Sequence, residues 1–531
     1  MKGDATMRDP EILNDTIAAF IQAVTPVIES NEQSEKSPSF GELETSIFQA
    51  LMTTGAFLLV RLCSSQTGYQ GKSIAGHRDV GGGRHRLKYK GMKKRLVMTF
   101  FGLICFTRAY YRNSKFKDSR WPRDEALGLV PRERLSPGVQ EKVTRLSTVV
   151  GSYDQATETL KQFLPIELQY KQAQRECLKL GAEMEELEGQ EVERVFKHRQ
   201  RPPDPKMAPP EAVLVGCDGI TTPHCAGGDM EIKVGRVDRA ALQPPRKKTT
   251  RTRTVKPRRG RTAVKDDSAK KASRNARLAE LKDSREQREY KQASELVKGA
   301  LQAVAPGREK RLMYRKTTEK STYRATARLG VEDFGRRLWL AAQKAGVELA
   351  ALVLFLADGG KWCWEVCKTH FPTAIQILDA FHLASHLVEA SNVLWGTRSA
   401  EACRWRQYAM EQILRGNLDT ILGELESLSF TDESKRKKRK ELLTYLKNNR
   451  DRMDYPRYIQ NNYPISSAMD ESACRHVIGT RMKGSGRHWD DDGAEAMARL
   501  RATYCSGQWS ALHQNRQQRR QALLRDLRRA A

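Results

Sequence analysis

The stretch ELAALVLFLADGGKWCWEVCKTHFPTAIQILDAFH, residues 348–382, decides the fold. An unbroken apolar run, Leu349–Ala357, ends on Asp358-Gly359-Gly360. A helical pattern follows, then a second apolar run that closes on Asp379. Short apolar runs joined by a helix are the mark of buried parallel strands. Upstream, EAVLVGCDG (211–219) repeats the device and closes on Asp218-Gly219. MEIKVGRV (230–237) and YRATARLG (323–330) predict a second and third strand. VEDFGRRLWLAAQKAG (331–346) places Val331, Phe334, Leu338, Ala341 and Ala342 on one helix face. The order of three strands, helix, strand, helix, strand predicts an α/β core with a mixed five-stranded sheet.

The chain has 531 residues, so several structural units are expected. Its 93 Lys and Arg against 64 Asp and Glu leave a net charge of +29, which points to a polyanionic partner. No stretch reads as a membrane-spanning run of roughly 20 apolar residues, and the N-terminus lacks a signal-peptide pattern. Ten scattered cysteines show no disulfide framework. Cys363, Cys367 and His370 share a helix but are one ligand short of a structural zinc site, so they read as a packed face. The run Gly81–Gly83 lacks the Gly-Lys-Ser/Thr of a phosphate loop and reads as a basic loop.

Residues 1–90 form an N-terminal helical region. Residues 91–200 combine a hairpin at 93–111 around Gly102 with three helices over 136–180, a helix-turn-helix-like pattern with Ser136 and Ser152 as caps. The α/β core occupies 210–382, interrupted by a basic, disordered insertion over about 243–310. Within that insertion, residues 246–274 carry thirteen Lys or Arg and two Asp. An all-helical insertion spans 383–460, the rest of the core 461–510, and a basic tail 511–531.

Clamping a phosphodiester between two hard cations needs converging carboxylates. Asp218 and Asp358 each close an apolar strand and precede a glycine, so their carboxylates meet at one sheet edge. A third acid is expected on a helix in PISSAMDESACRHVIGTRMKGSGRHW (464–489), capped by Ser466. The residues alone leave Asp470 and Glu471 both open. Glu471 and Arg475, four apart, share a helix face.

The strand order, with LADGGKWCWEVCKTHFPTAIQILDAFHLASHL (356–387) and RMDYPRYIQNNYPISSAMDESACRHVIGTRMKGSGRHW (452–489), resembles RNase H-like DDE transposases of bacterial insertion sequences, nearest to the Kra-type family. The resemblance covers about residues 90–510. It implies that Asp218, Asp358 and Glu471 are catalytic and hold two Mg2+ ions, which Mn2+ can replace, and that Asp379 and His382 support them. It further implies cutting at transposon ends and transfer of the 3′-hydroxyl into target DNA by a cytoplasmic, nucleoid-associated enzyme. The alternative is a catalytically silent, domesticated DNA-binding protein. That alternative is motivated by Ile465-Ser466-Ser467-Ala468, where relatives carry Ile-Gly-Ser-Gly. The expected partners are double-stranded DNA and further copies of the chain, as a homodimer or higher oligomer. Expected DNA contacts are Arg475, Arg481, Lys483, Arg487, His488 and Trp489, together with Arg246, Lys247, Lys248, Arg258 and Arg259 of the basic stretch.

Overall fold

The computed structural model describes residues 10–33, 38–76, 85–202, 208–241, 285–308, 312, 319–484 and 486–529. Gly81–Gly83 and the basic stretch 246–274, with Arg246, Lys247, Lys248, Arg258 and Arg259, lie outside the described residues. The chain divides into two units, residues 1–182 with 507–531, and residues 183–506.

In the first unit, a four-stranded antiparallel sheet runs in the order β1 (Ser73–Ala75), β2 (Arg86–Thr99), β3 (Gly102–Asn113), β4 (Asp118–Arg120). The expected hairpin is present and longer than its apolar signal, pairing from Thr99 with Gly102 to Lys88 with Arg112. Gly102, at φ 93°, makes the turn. The N-terminal helices Pro10–Gln33 and Phe40–Ser64 are not a separate region: Cys63 packs with Val97, Ile104 and Phe106 of the hairpin. Ser39 and Glu42 form a reciprocal capping box that fixes the start of the second helix.

This second helix corrects the expectation about membrane spans. It is long and apolar enough to cross a membrane by length and composition. Its charges, Glu42, Glu44 and Arg61, sit near its ends and leave Thr45–Val60 uncharged.

The three expected helices follow at Pro137–Val149, Tyr153–Phe163 and Tyr170–Val192. Ser136 accepts from Val139 N at 3.3 Å and Ser152 from Gln155 N at 3.0 Å, as their positions predicted. The third helix begins later than Pro165 suggests, because Ile166 is spent in the core with Val139, Val143 and Leu160. The basic C-terminal tail is ordered from Trp509. It forms a helix, Trp509–Arg529, in which Trp509 is buried and Arg520 donates to Glu133 at 3.2 Å and Gln140 at 2.7 Å.

The second unit is α/β. Its mixed five-stranded sheet has the order β7 (Thr322–Thr326), β6 (Asp229–Ala240), β5 (Ala212–Pro223), β8 (Leu352–Ala357), β9 (Ile375–Leu378). β5 pairs antiparallel with β6 and parallel with β8, and β9 lies parallel to β8. Helix Val331–Lys344 covers one face, with Leu338 Cδ1 2.6 Å from where a side chain on Gly235 would start. The opposite face at β5 and β6 takes helix Ala468–Cys474.

The insertion expected to be disordered to about residue 310 gives way earlier. Arg285–Val304 is a helix that buries Ala293, Val297, Ala300 and Leu301, a spacing of 3.6 that the flanking charge obscured. Residues 380–460 are helical as expected, but Leu383, Leu387, Ile413, Leu442 and Tyr458 share one core cluster with β5 and β8. That helical segment extends the core.

Ser136→Ala and Ser152→Ala are each expected to lower the stability of the first unit by about 1 kcal/mol. Denaturant unfolding followed by circular dichroism checks this.

Candidate active site at the end of the parallel strands

Strand register sets the site. The last β5–β8 pair is Gly216 with Leu356, so the same offset places Asp218 beside Asp358. The last β8–β9 pair is Ala357 with Leu378, which places Asp379 at the same level. Neighbouring strands lie about 4.8 Å apart, so three carboxyl-bearing residues stand in a row. Asp218 does not close its strand, as its apolar run suggests. β5 runs on to Pro223 because its ladder with β6 continues, and Asp218 marks the end of the parallel pairing instead.

Each acid is oriented by backbone donors. Asp218 accepts from Gly219 N at 2.7 Å and Asp358 from Gly360 N at 2.9 Å. Gly359, at φ 105°, supplies the turn that Asp358 needs. Burial first, and the charge of Asp358 second, push the Asp218 carboxyl up to about 6, with His382 opposing. Asp379 caps helix Ala380–Trp395 by accepting from Phe381 N at 2.8 Å, and Ser467 donates to its other oxygen. Burial pushes this carboxyl up as well, against the pull of His382. His382 is exposed, one turn from His386, whose ring lies 3.9 Å from that of Tyr445.

Helix Ala468–Cys474 completes the site. Its N-cap is Ser467, not the expected Ser466, and no side chain caps it, because the Ser467 hydroxyl is committed to Asp379. Asp470 is buried, with its carboxyl over Gly216, where a Cβ would come within 2.2 Å of Oδ1. There it accepts from Arg236 Nε at 2.8 Å, and Arg236 also pairs with buried Asp238. Burial raises the Asp470 carboxyl, while Arg236 opposes the shift.

Cys474, one turn on, faces Asp218. Glu471 lies about 60° around the helix from Cys474. It is partly exposed and paired with Arg475. The helix then passes through the π-turn Arg475–Gly479, where Arg501 Nε donates to Val477 O at 2.8 Å. Arg501 belongs to helix Asp491–Cys505, whose Glu495 accepts from the backbone of Ala327 and Arg328 after β7. Sequence reading missed Arg236, Asp238 and Gly216. A charged pair spaced by two inside an apolar strand was the available signal.

Two expected DNA contacts are not at the surface. Arg481 is 3 % exposed and stacks on Trp489, which is itself buried and donates from Nε1 to Met482 O at 3.0 Å. Lys483 and His488 are exposed, as is Arg475, while Arg487 is partly buried and donates to the carbonyls of Arg481 and Lys483. Cys363 contacts the carbonyl of Cys217 at 3.5 Å, Cys367 is buried in the core, and the His370 ring meets Phe196. Among the described residues, no three His, Cys, Asp or Glu side chains meet closely enough to hold an ion.

Residues 34–201 and 338–520 match the Uncharacterised protein family (UPF0236), and the chain belongs to it. The matched segments contain Asp358, Asp379, His382, Asp470 and Glu471. Asp218 falls between them. No curated protein matches the chain.

Arg236→Leu leaves two buried carboxylates uncompensated, and is expected to cost about 3–5 kcal/mol in denaturant unfolding. Asp218 gives a pH signature. Its folded-state carboxyl holds its proton to about 6 against an ordinary 3.8, so this contribution to stability is full below about pH 4 and lost as pH rises through 6. In metal-free buffer, Asp218→Asn is therefore expected to be more stable than wild type at pH 8, by on the order of 2 kcal/mol. The advantage should vanish at pH 4.

Proposed function

We propose that this protein is a DNA transposase of the RNase H-like DDE class, with Asp218, Asp358 and Glu471 as its catalytic acids. The observation that carries the reading is the level placement of Asp218 and Asp358 at the end of the parallel pairing of β5 with β8, where burial first and the charge of Asp358 second raise the Asp218 carboxyl. The sheet order, with β7, β6 and β5 antiparallel and β5, β8 and β9 parallel, supports the RNase H-like assignment.

The donor set fits Mg2+ or Mn2+. Two carboxylates pressed together by the fold, one of them reluctant to ionise, are relieved by a hard divalent cation between them. Bound there, such ions supply an activated water and neutralise charge on the phosphate oxygens. Asp218 and Asp358 would hold the ions, each carboxylate oriented by the glycine N–H group that donates to one of its oxygens.

Glu471 is the better third ligand because Asp470 is committed to Arg236. To serve, it exchanges Arg475 for the site, and Arg475 is then released toward a DNA phosphate. Ser467 keeps the serine of the relatives' Ile-Gly-Ser-Gly, while Ser466 and Ala468 replace its glycines. The Ser467 hydroxyl grips Asp379, and so couples the end of β9 to the start of the catalytic helix. Exposed Lys483 and His488, with Arg475, supply the cationic surface beside it. The helices over 137–192 suit helix-turn-helix recognition of transposon ends.

The test is cleavage and strand transfer on DNA carrying the flanks of the gene, titrated with Mg2+ and Mn2+. Asp218→Ala, Asp358→Ala and Glu471→Gln are each expected to lower the rate by at least about 1,000-fold while DNA binding persists. Wild-type rates in all three variants would refute the assignment. Salt-sensitive DNA binding by wild type with no cleavage under either metal would favour the silent DNA-binding protein.

A further inference from the structure

The N-terminal helical hairpin presents an apolar surface that no described residue of its unit covers. On helix Pro10–Gln33, Leu13, Ile17, Phe20, Ile21 and Ile28 are all exposed, Ile21 by 58 %. At 100° per residue they fall within about 100° of arc, a continuous stripe free of charge. On helix Phe40–Ser64, Phe40, Ile47, Phe48, Leu51 and Leu62 are exposed, Phe40 by 82 %. They fall in an arc of similar width, whose one acid is Glu44, near the helix start.

The groove between the two helices is lined mostly by smaller or more polar residues, among them Gln22, Ala23, Ser46 and Gln49, with Val27 and Leu43 as its larger apolar members, and Arg61 reaches Asp15. The exposed large apolar side chains thus point away from the contact that the hairpin makes with itself.

We propose that this hairpin is a self-association surface, and that its occupant is the same hairpin of a second copy, forming a four-helix bundle. Three observations select a second copy. First, the ten side chains leave on the order of 1,000 Å² accessible, above the ~800 Å² per partner of a stable interface and beyond the ~300–600 Å² patch of an ordinary monomer. Second, the two helices and their connection are acidic. Glu11, Asp15, Glu29, Glu32, Glu35, Glu42 and Glu44 stand against Lys36 and Arg61, in a chain of net charge +29.

A polyanion is therefore repelled from this hairpin, and so is an anionic lipid surface. Third, the acids of the first helix lie outside its apolar stripe, so an isologous pairing about a two-fold axis buries apolar stripe on apolar stripe and leaves those charges at the rim. The proposal does not rest on the catalytic reading, since it draws on no residue of the second unit.

The test is the mass of the full chain by light scattering in high salt, which removes DNA-bridged association and strengthens apolar contacts. A dimer is expected. The double variant Ile17→Lys/Leu51→Lys is expected to raise its Kd by roughly 100-fold or more, the scale of losing central apolar anchors. Circular dichroism should be unchanged, because both side chains are exposed. Should that variant unfold, Phe40→Ser serves, as its side chain touches little of its own chain, and a weakened dimer is again expected. A monomeric wild type, or a dimer that none of these substitutions weakens, overturns the proposal. Flotation of the wild type with neutral phosphatidylcholine vesicles overturns it as well, since the helices would then be a lipid anchor.

Discussion

The second unit depends on a buried charge cluster. Arg236 sits in the middle of β6, opposite Gly216, and binds Asp238 of its own strand and Asp470 of the helix above. Removing three ionised groups from water is costly unless each is paired. The cluster therefore admits one seating of helix Ala468–Cys474, with Asp470 over the glycine and Cys474 against Asp218. No larger residue at 216 leaves room for that carboxyl. From this seating follow the position of Glu471, the turn that carries Arg475, and the contact from Arg501 that ties the segment to the long helix behind it.

A second constraint acts at the opposite end of the site. Asp379 caps one helix with one oxygen and receives Ser467 on the other, so the end of β9 and the approach to Ala468 move as one piece. The carboxyls of Asp218 and Asp358 lie between these two fixtures. Their separation is set by strand spacing and register rather than by any contact of their own. Burial and the charge of Asp358 together raise the Asp218 carboxyl, the condition in which a cation has most to offer.

Much of this fold was legible in the sequence because the signals were local. Apolar runs that end on Asp-Gly mark β5 and β8 whatever surrounds them, and Ser136 and Ser152 cap helices through hydrogen bonds three residues long. Two of the misreadings share a cause, which is distance along the chain. Arg236 and Asp470 are 234 residues apart, and neither advertises the other. Ser466 looked like a cap because a serine before a helix usually is one. It is Ser467 that lies at the cap position, and its hydroxyl is drawn away by Asp379, 88 residues upstream.

Arg481 and Trp489 resembled a nucleic-acid surface by composition, and tertiary packing buried both. The helix Arg285–Val304 was hidden by the charge of its flank, although its buried positions keep the period of an amphipathic helix. The choice between Asp470 and Glu471 needed the structure, since neighbours in a helix differ by only 100° in direction.

The central claim is that Asp218 and Asp358 form one cation site. A crystal of the protein grown with Mn2+, measured for anomalous scattering, tests it most directly. A manganese peak is expected within coordination distance of both carboxylates, with the Glu471 side chain turned away from Arg475 toward it. Manganese bound elsewhere while the two carboxylates remain without an ion would contradict it.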